Sequence, residues 1–168
     1  MTKRPLILDV GNHAKILNLL SQMAGGANLS WYNDRVHAVA RQWLLLAYQH
    51  LHIARQLVGK PRHWRAAVSR SYYAAYNASR SVRYVVRGQI RLDGEDHQAV
   101  GDLPDDFPLK AKWSTFLTDL RKDRNIADYD AWPGIRGSLS LEPTRSFSSA
   151  QEFVKTSRAY LRGRGIQI

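Results

Sequence analysis

The sequence has no cysteine among its 168 residues. Disulfide bonds, thiolate metal sites and cysteine nucleophiles are therefore excluded. No stretch approaches the roughly 18 consecutive apolar residues of a membrane-spanning helix, and the N-terminus lacks the layout of a signal peptide. We therefore expect a cytoplasmic protein with no membrane contact.

Acidic residues are scarce. The chain has 14 Asp and Glu against 25 Lys and Arg, which gives a formal net charge of +11. Such a chain repels itself unless a polyanion is nearby or the charge is spread out. Much of the excess is arginine, which binds phosphate through its planar fork and stacks on bases. RNA is the first partner to consider and DNA the second; a generally basic proteome is the alternative explanation.

No convincing strand pattern occurs, whereas apolar residues recur at three- and four-residue steps. This predicts an all-α protein, an up-and-down bundle of about five helices. Residues 1–27 are predicted to form an arm and an accessory helix (13–23), and residues 28–168 the main bundle. Its helices are predicted from Asn28 or Ser30 to about Val58, over 62–87, over 110–126, and from Ser148 or Ser149 through Leu161. Ser149 and Glu152 fit a capping box at the start of the last helix.

Residues 62–87 form the longest unbroken helical pattern, and alanines at 74, 75 and 78 would let neighbouring helices approach closely. We expect this helix to be central. Its tyrosines, Tyr72, Tyr73 and Tyr76, suit a core position more often than a base-stacking one. The loop at 89–108 carries Asp102, Asp105 and Asp106, which we interpret as solvated carboxylates. No metal and no cofactor are predicted.

The chemistry is concentrated in residues 120–130, LRKDRNIADYD. This stretch holds three cationic groups, three carboxylates, one amide and one phenol, and it follows the apolar stripe Trp113, Phe116, Leu117 and Leu120. A second stretch, residues 66–81, reads AAVSRSYYAAYNASRS. Polar groups at a helix end often serve only to solvate it.

Together the two stretches resemble the HEPN superfamily, in its small stand-alone bacterial branch. The first family motif is matched by Ser69, Arg70, Tyr72, Tyr73, Ala74, Ala75, Tyr76, Ala78, Ser79 and Arg80. The second is matched by Leu120, Arg121, Arg124, Ala127, Asp128 and Tyr129. The resemblance covers roughly residues 62–161. It implies a homodimeric helical bundle that acts on RNA in a toxin–antitoxin or phage-defence system.

Many members of this family are metal-independent ribonucleases, with an Arg followed four to six residues later by a His. Cleavage by the RNA's own 2′-hydroxyl needs a base and a cation on the phosphate, and His with Arg supplies both. Here no His follows Arg121 or Arg124 at that spacing. His97 or His63 would have to fold back instead, and the spacing requires neither. Ribonuclease activity is therefore implied by the resemblance and left open by the residues.

The predicted catalytic set is Arg121, Arg124, Asn125, Asp128 and Tyr129, and the predicted RNA-binding set is Arg70, Arg80 and Arg83. Arg124 would hold phosphate, while Asn125 would cap the helix or bind the ribose. Arg70 and Arg80 need an anionic partner, whether Asp123, Asp128 or a phosphate.

The resemblance also implies a second function. Some members of the family pair with a nucleotidyltransferase antitoxin that adenylylates a tyrosine near the motif, and Tyr129 is the matching residue. The protein would then be a non-catalytic binding module, or one that binds a nucleotide. Alternatively, Tyr129 packs across a dimer or caps its helix.

Overall fold

The described part of the chain consists of helices and the turns that connect them. A computed structural model describes residues 22, 30–87, 94–132 and 135–167. Within these ranges there are no strands, and the α-helices are α1 (Ser30–Leu57), α2 (Trp64–Arg87), α3 (Lys110–Tyr129) and α4 (Pro143–Gly163). Short 3-10 turns occur at Pro61–His63, Gly94–His97 and Ile135–Ser138. The predicted all-α class is confirmed. None of the helices described could cross a membrane.

α1 buries one stripe and ends at a glycine. Val36, Leu44, Ala47 and Leu51 all face the core. The helix stops before Gly59, whose φ of 83° lies in the left-handed region that favours glycine. Pro61 then opens the next 3-10 turn, where its fixed φ suits a helical start. The predicted boundaries of this helix agree with the structure to within a residue or two.

α2 is the central helix, as predicted, and packs against α1, α3 and α4. Small side chains without exposed area make this possible: Ala67, Ser71, Ala74, Ala75, Ala78, Ser79 and Ser81. Two of the serines bond to neighbouring segments. Ser81 donates to the carbonyl of Ala40 at 2.8 Å, and Ser79 donates to that of Val100 at 2.6 Å. The buried hydroxyls are thereby satisfied while the helix backbones stay close.

α3 and α4 complete the core with larger apolar residues. Trp113 of α3 lies 5.3 Å from Phe153 of α4 between ring centroids. Leu117, Leu120 and Leu161 are fully buried beside them. The apolar stripe predicted ahead of the motif therefore faces the bundle, and the polar residues of the motif follow it on the same helix.

Two predicted helix boundaries were wrong. α3 continues past Ile126 to Tyr129, so the motif is helical almost to its end. α4 begins at Pro143, five or six residues before the predicted start at Ser148 or Ser149, and Ser149 lies inside it rather than at its N-cap. The buried Asp123 of α3 accepts the backbone N–H groups of Ser140 and Leu141, at 2.7 and 3.1 Å, and fixes the chain ahead of Pro143.

Other predicted segments are described in part or not at all. The accessory helix at 13–23 and the boundary at residue 27 lie outside the described residues. In the 89–108 loop, Asp105 pairs with Lys110, and Asp106 binds Tyr160 and Arg164. These two carboxylates are therefore bound to side chains of the protein rather than being only solvated.

Candidate functional site

The two motif stretches meet where the C-terminal end of α3 lies against the N-terminal half of α2. Arg65 of α2 donates to the carbonyls of Ile126 and Ala127 at 3.2 and 3.0 Å. Carbonyls in the last turn of a helix have no partner within it, and a cation suits the negative end of the helix dipole. Ser69 also donates to Asp128 at 3.4 Å. The end of the motif helix is thus fastened to the central helix.

Arg124 lies at the centre of this junction and contacts residues of both helices. One terminal nitrogen donates to the Tyr73 hydroxyl at 2.6 Å, and the other donates to Asn125 Oδ1 at 2.9 Å and approaches the Tyr129 hydroxyl at 3.5 Å. Its Nε lies 3.1 Å from Asp128 Oδ2. Burial disfavours the charge, but the Tyr73 hydrogen bond and the surrounding oxygens raise the pKa of Arg124 above its usual value. Its side chain is 11% exposed, and both terminal nitrogens donate hydrogen bonds.

Aromatic rings surround the Arg124 guanidinium. Its central carbon lies 5.3 Å from the Tyr72 ring centroid, 5.2 Å from that of Tyr73 and 5.5 Å from that of Tyr129. Tyr72 and Tyr76 are buried, as expected for core tyrosines, and Tyr73 is half-buried. Burial raises the pKa of Tyr72 and of Tyr76, so both phenols keep their protons. Tyr129, by contrast, is 75% exposed.

His97 folds back onto the same tyrosines. Its ring stacks on Tyr76 at 4.2 Å between centroids, with 16° between the planes. Its Nδ1 lies 2.7 Å from the Tyr72 hydroxyl. Burial lowers the pKa of His97, and so does the positive charge of Arg124; the Asp96 carboxylate acts in the opposite direction but is outweighed, with Arg80 and Arg121 lowering the pKa further. The structure therefore places a half-buried neutral imidazole beside the motif helix, although none follows the motif in sequence.

A buried carboxylate fixes the turn that carries His97. Asp96 has no exposed surface and accepts a hydrogen bond from each terminal nitrogen of Arg83, both at 3.0 Å. The Tyr76 hydroxyl donates to Asp96 at 2.8 Å. Burial opposes ionisation of Asp96, but the Arg83 and Tyr76 hydrogen bonds outweigh it and lower the pKa of this carboxyl. The turn is therefore tied to α2 at the residue next to the histidine.

This arrangement changes the expectation for two predicted RNA-binding residues. Arg83 is 4% exposed and its terminal nitrogens are bonded to Asp96, which leaves them no surface on which to contact RNA. Arg80 lies 3.5 Å from Asp96 through Nε and packs over the Trp43 ring at 5.0 Å. The predicted partners of Arg80 were Asp123, Asp128 or phosphate, whereas the structure gives it Asp96.

Two arginines of the region form no hydrogen bond or ion pair within the described part of the chain. Arg121 is half-buried, and its charge acts on both Tyr72 and His97. Arg70 is also half-buried. After burial itself, Arg70 is the second cause of the lowered pKa of His50, whose ring stacks on Tyr73 at 5.6 Å. Two cations without a partner among the described residues therefore lie in the same region as Arg124.

The structure thus brings Arg70, Arg121, Arg124, Asn125, Asp128 and Tyr129 to one end of the α2–α3 contact. It adds His97, Asp96 and His50, which the motifs did not identify. His97 and Asp96 are adjacent in the loop before the motif helix. Their separation in sequence from the motif does not by itself place them beside it. His50 carried no signal, because its neighbour Tyr73 lies on another helix.

Comparison with protein-family models, with curated proteins and with solved structures gives no match for this chain.

Proposed function

We propose that the protein is an RNA-binding, ribonuclease-type member of the HEPN superfamily that acts in a bacterial toxin–antitoxin or phage-defence system. The observation that carries this proposal is His97, which lies against Tyr72 and Tyr76 within electrostatic reach of Arg121 and Arg124. Metal-independent RNA cleavage needs a base and a cation that binds the phosphate. The neutral His97 would be the base, and Arg121, which has no partner among the described residues, would be the cation.

In the proposed reaction, His97 acts as the base. With its Nδ1–H donating to the Tyr72 oxygen, the ring presents an unprotonated Nε2 to the 2′-hydroxyl of RNA. Nε2 takes the hydroxyl proton as the 2′-oxygen attacks phosphorus, and the bond from phosphorus to the 5′-oxygen breaks. The products are a 2′,3′-cyclic phosphate and a 5′-hydroxyl, whose proton comes from water.

The phosphate in this reaction would be held by Arg121, with Arg70 binding the neighbouring part of the strand. Arg124, first assigned to phosphate, already has Tyr73, Asn125 and Asp128 as partners. An incoming phosphate would have to displace one of them. Arg124 is therefore assigned to holding the motif helix and the tyrosines in place, with Asn125 and Asp128 as its supports.

The test is cleavage of single-stranded RNA by the purified protein in EDTA. We expect products with 2′,3′-cyclic phosphate ends, and a rate that falls about 100-fold in Arg121→Ala because a cation is lost from the developing phosphate charge. Lys122→Ala is the matched control, since Lys122 is exposed and pairs with Asp119. Arg124→Ala should also lose activity, and its unfolding curve will show how much of that loss is structural.

Absence of cleavage by the folded protein would contradict the ribonuclease proposal. It would favour the second candidate, a non-catalytic module that partners a nucleotidyltransferase or binds a nucleotide. The observation that favours this candidate is the 75% exposed Tyr129, whose phenol is open to modification while Arg124 lies 3.5 Å from its oxygen. An adenylyl group on Tyr129, absent from Tyr129→Phe, would support it.

We further propose that the protein acts as a homodimer. Tyr129 and Trp132 are 75% and 70% exposed at the end of the motif helix. Large aromatic side chains of this kind are enriched at protein interfaces. A second copy on this surface would bring two sites together, as the family resemblance implies.

A further inference from the structure

A groove between α1 and α4 lies apart from the residues around Arg124. Side chains at helical spacing on the two helices line it: Tyr48, Leu51, His52 and Arg55 on α1, and Phe147, Gln151 and Lys155 on α4. Its volume is about 210 Å³. Leu51 is buried, and Tyr48 and Phe147 are half-buried, so the apolar part of the groove is attached to the core.

The charges in the groove have one sign. Arg55 and Lys155 are exposed, and neither forms an ion pair or hydrogen bond within the described residues. No carboxylate is among the residues that line the groove. His52 is exposed and bonds to Gln56 at 3.0 Å. Two free cations beside two partly exposed aromatic rings match the combination with which proteins hold unpaired nucleic-acid strands.

We propose that this groove binds single-stranded RNA, with a base on the Tyr48 and Phe147 rings and backbone phosphates on Arg55 and Lys155. The ligand class rests on the proposed function, in which RNA is the substrate. RNA is favoured over a protein partner because the groove is cationic without a balancing carboxylate, in a chain of net charge +11. Aromatic stacking accepts any base, so the groove adds affinity and not sequence readout.

α1 connects the groove with the Arg124 site. His50, which stacks on Tyr73, lies two residues after Tyr48 and therefore on another face of the same helix. A strand bound in the groove would reach the cleavage site by crossing this one helix. The groove would thus hold the substrate outside the site where its backbone is cut.

The test is binding of a fluorescein-labelled 2′-O-methyl oligoribonucleotide, which the proposed chemistry cannot cut. We expect Arg55→Gln combined with Lys155→Gln to weaken binding, and the slope of log K against log salt to become shallower by about 1.4, because two phosphate contacts are lost. Phe147→Leu, which keeps an apolar side chain but removes the aromatic stacking surface, should weaken binding about fivefold or more.

Arg35→Gln combined with Arg162→Gln is the matched control. It removes the same charge from the same two helices, at exposed positions that do not line the groove. Equal effects of the two double variants would overturn the groove proposal, and RNA cleavage by the wild type would show that the proposed function still stands. Failure of the wild-type protein to bind the oligonucleotide would overturn the groove proposal. If the wild-type protein also failed to cleave RNA, the proposed ribonuclease function would be overturned too.

Discussion

At the scale of single residues, the arginines of the motif helix differ in what surrounds them. Arg124 contacts Tyr73, Asn125 and Asp128, whereas Arg121, one turn earlier, has no hydrogen bond or ion pair within the described residues. Two of the partners of Arg124 are local in sequence, since Asn125 is the next residue and Asp128 lies four positions on. The third, Tyr73, is 51 residues away and could not be predicted from the motif alone.

His97 provides a residue-scale prediction about pH. Its pKa in the folded protein is lowered, first by burial and then by Arg124, below the value of about 6.5 expected in an unfolded chain. As pH falls through about 6.5, the unfolded chain therefore takes up a proton before the folded protein does, and stability is lost. The free energy of unfolding in urea should fall between about pH 7.5 and pH 5.5, and fall less in His97→Asn.

His63→Asn serves as the control for this experiment because His63 is exposed. It should keep the full wild-type dependence on pH. Part of the dependence should persist in His97→Asn, since burial and then Arg70 lower the pKa of His50 in the same direction. Equal pH dependence in His97→Asn and wild type would contradict the buried, neutral placement of His97.

At the scale of the elements, the periodicity of apolar residues predicted the helix boundaries that are set by local sequence. α1 and α2 carry regular apolar or small-residue stripes and end near glycines, and their bounds were predicted closely. The start of α4 was predicted wrongly because Ser149 and Glu152 offer a local capping pattern that is not used. The hydrogen bonds that the backbone N–H groups of residues 140 and 141 donate to Asp123 determine the path of the chain instead, and these contacts have no local signature.

Substitutions at Asp123 and Ser149 test which residue fixes the start of α4. Asp123→Ala leaves two backbone N–H groups without their acceptor, and it should lower the free energy of unfolding by about 1–3 kcal/mol. Ser149→Ala removes a hydroxyl within α4, where alanine favours the helix, and should change stability by less than about 0.5 kcal/mol. Urea unfolding of both variants provides the measurement. A large loss in Ser149→Ala with none in Asp123→Ala would restore the original prediction.

At the scale of the whole molecule, the site depends on three segments that are distant in sequence. The family resemblance identified two of them, because the α2 and α3 motifs each have a recognisable order of residues. The third, the turn at Gly94–His97, is placed by the ion pair of Asp96 with Arg83 and by the stacking of His97 on Tyr76. These contacts join a loop to a helix face, and no periodicity predicts them. The groove between α1 and α4 was missed for the same reason.

The central claim is that His97 supplies the histidine that the motif lacks, and one measurement addresses it most directly. The rate of RNA cleavage in EDTA would be compared for the wild type, His97→Asn and His63→Asn, the other histidine considered from sequence. Loss of a positioned base should slow His97→Asn by about 100-fold or more, while His63→Asn keeps the wild-type rate. Undiminished cleavage by a folded His97→Asn protein would contradict the account.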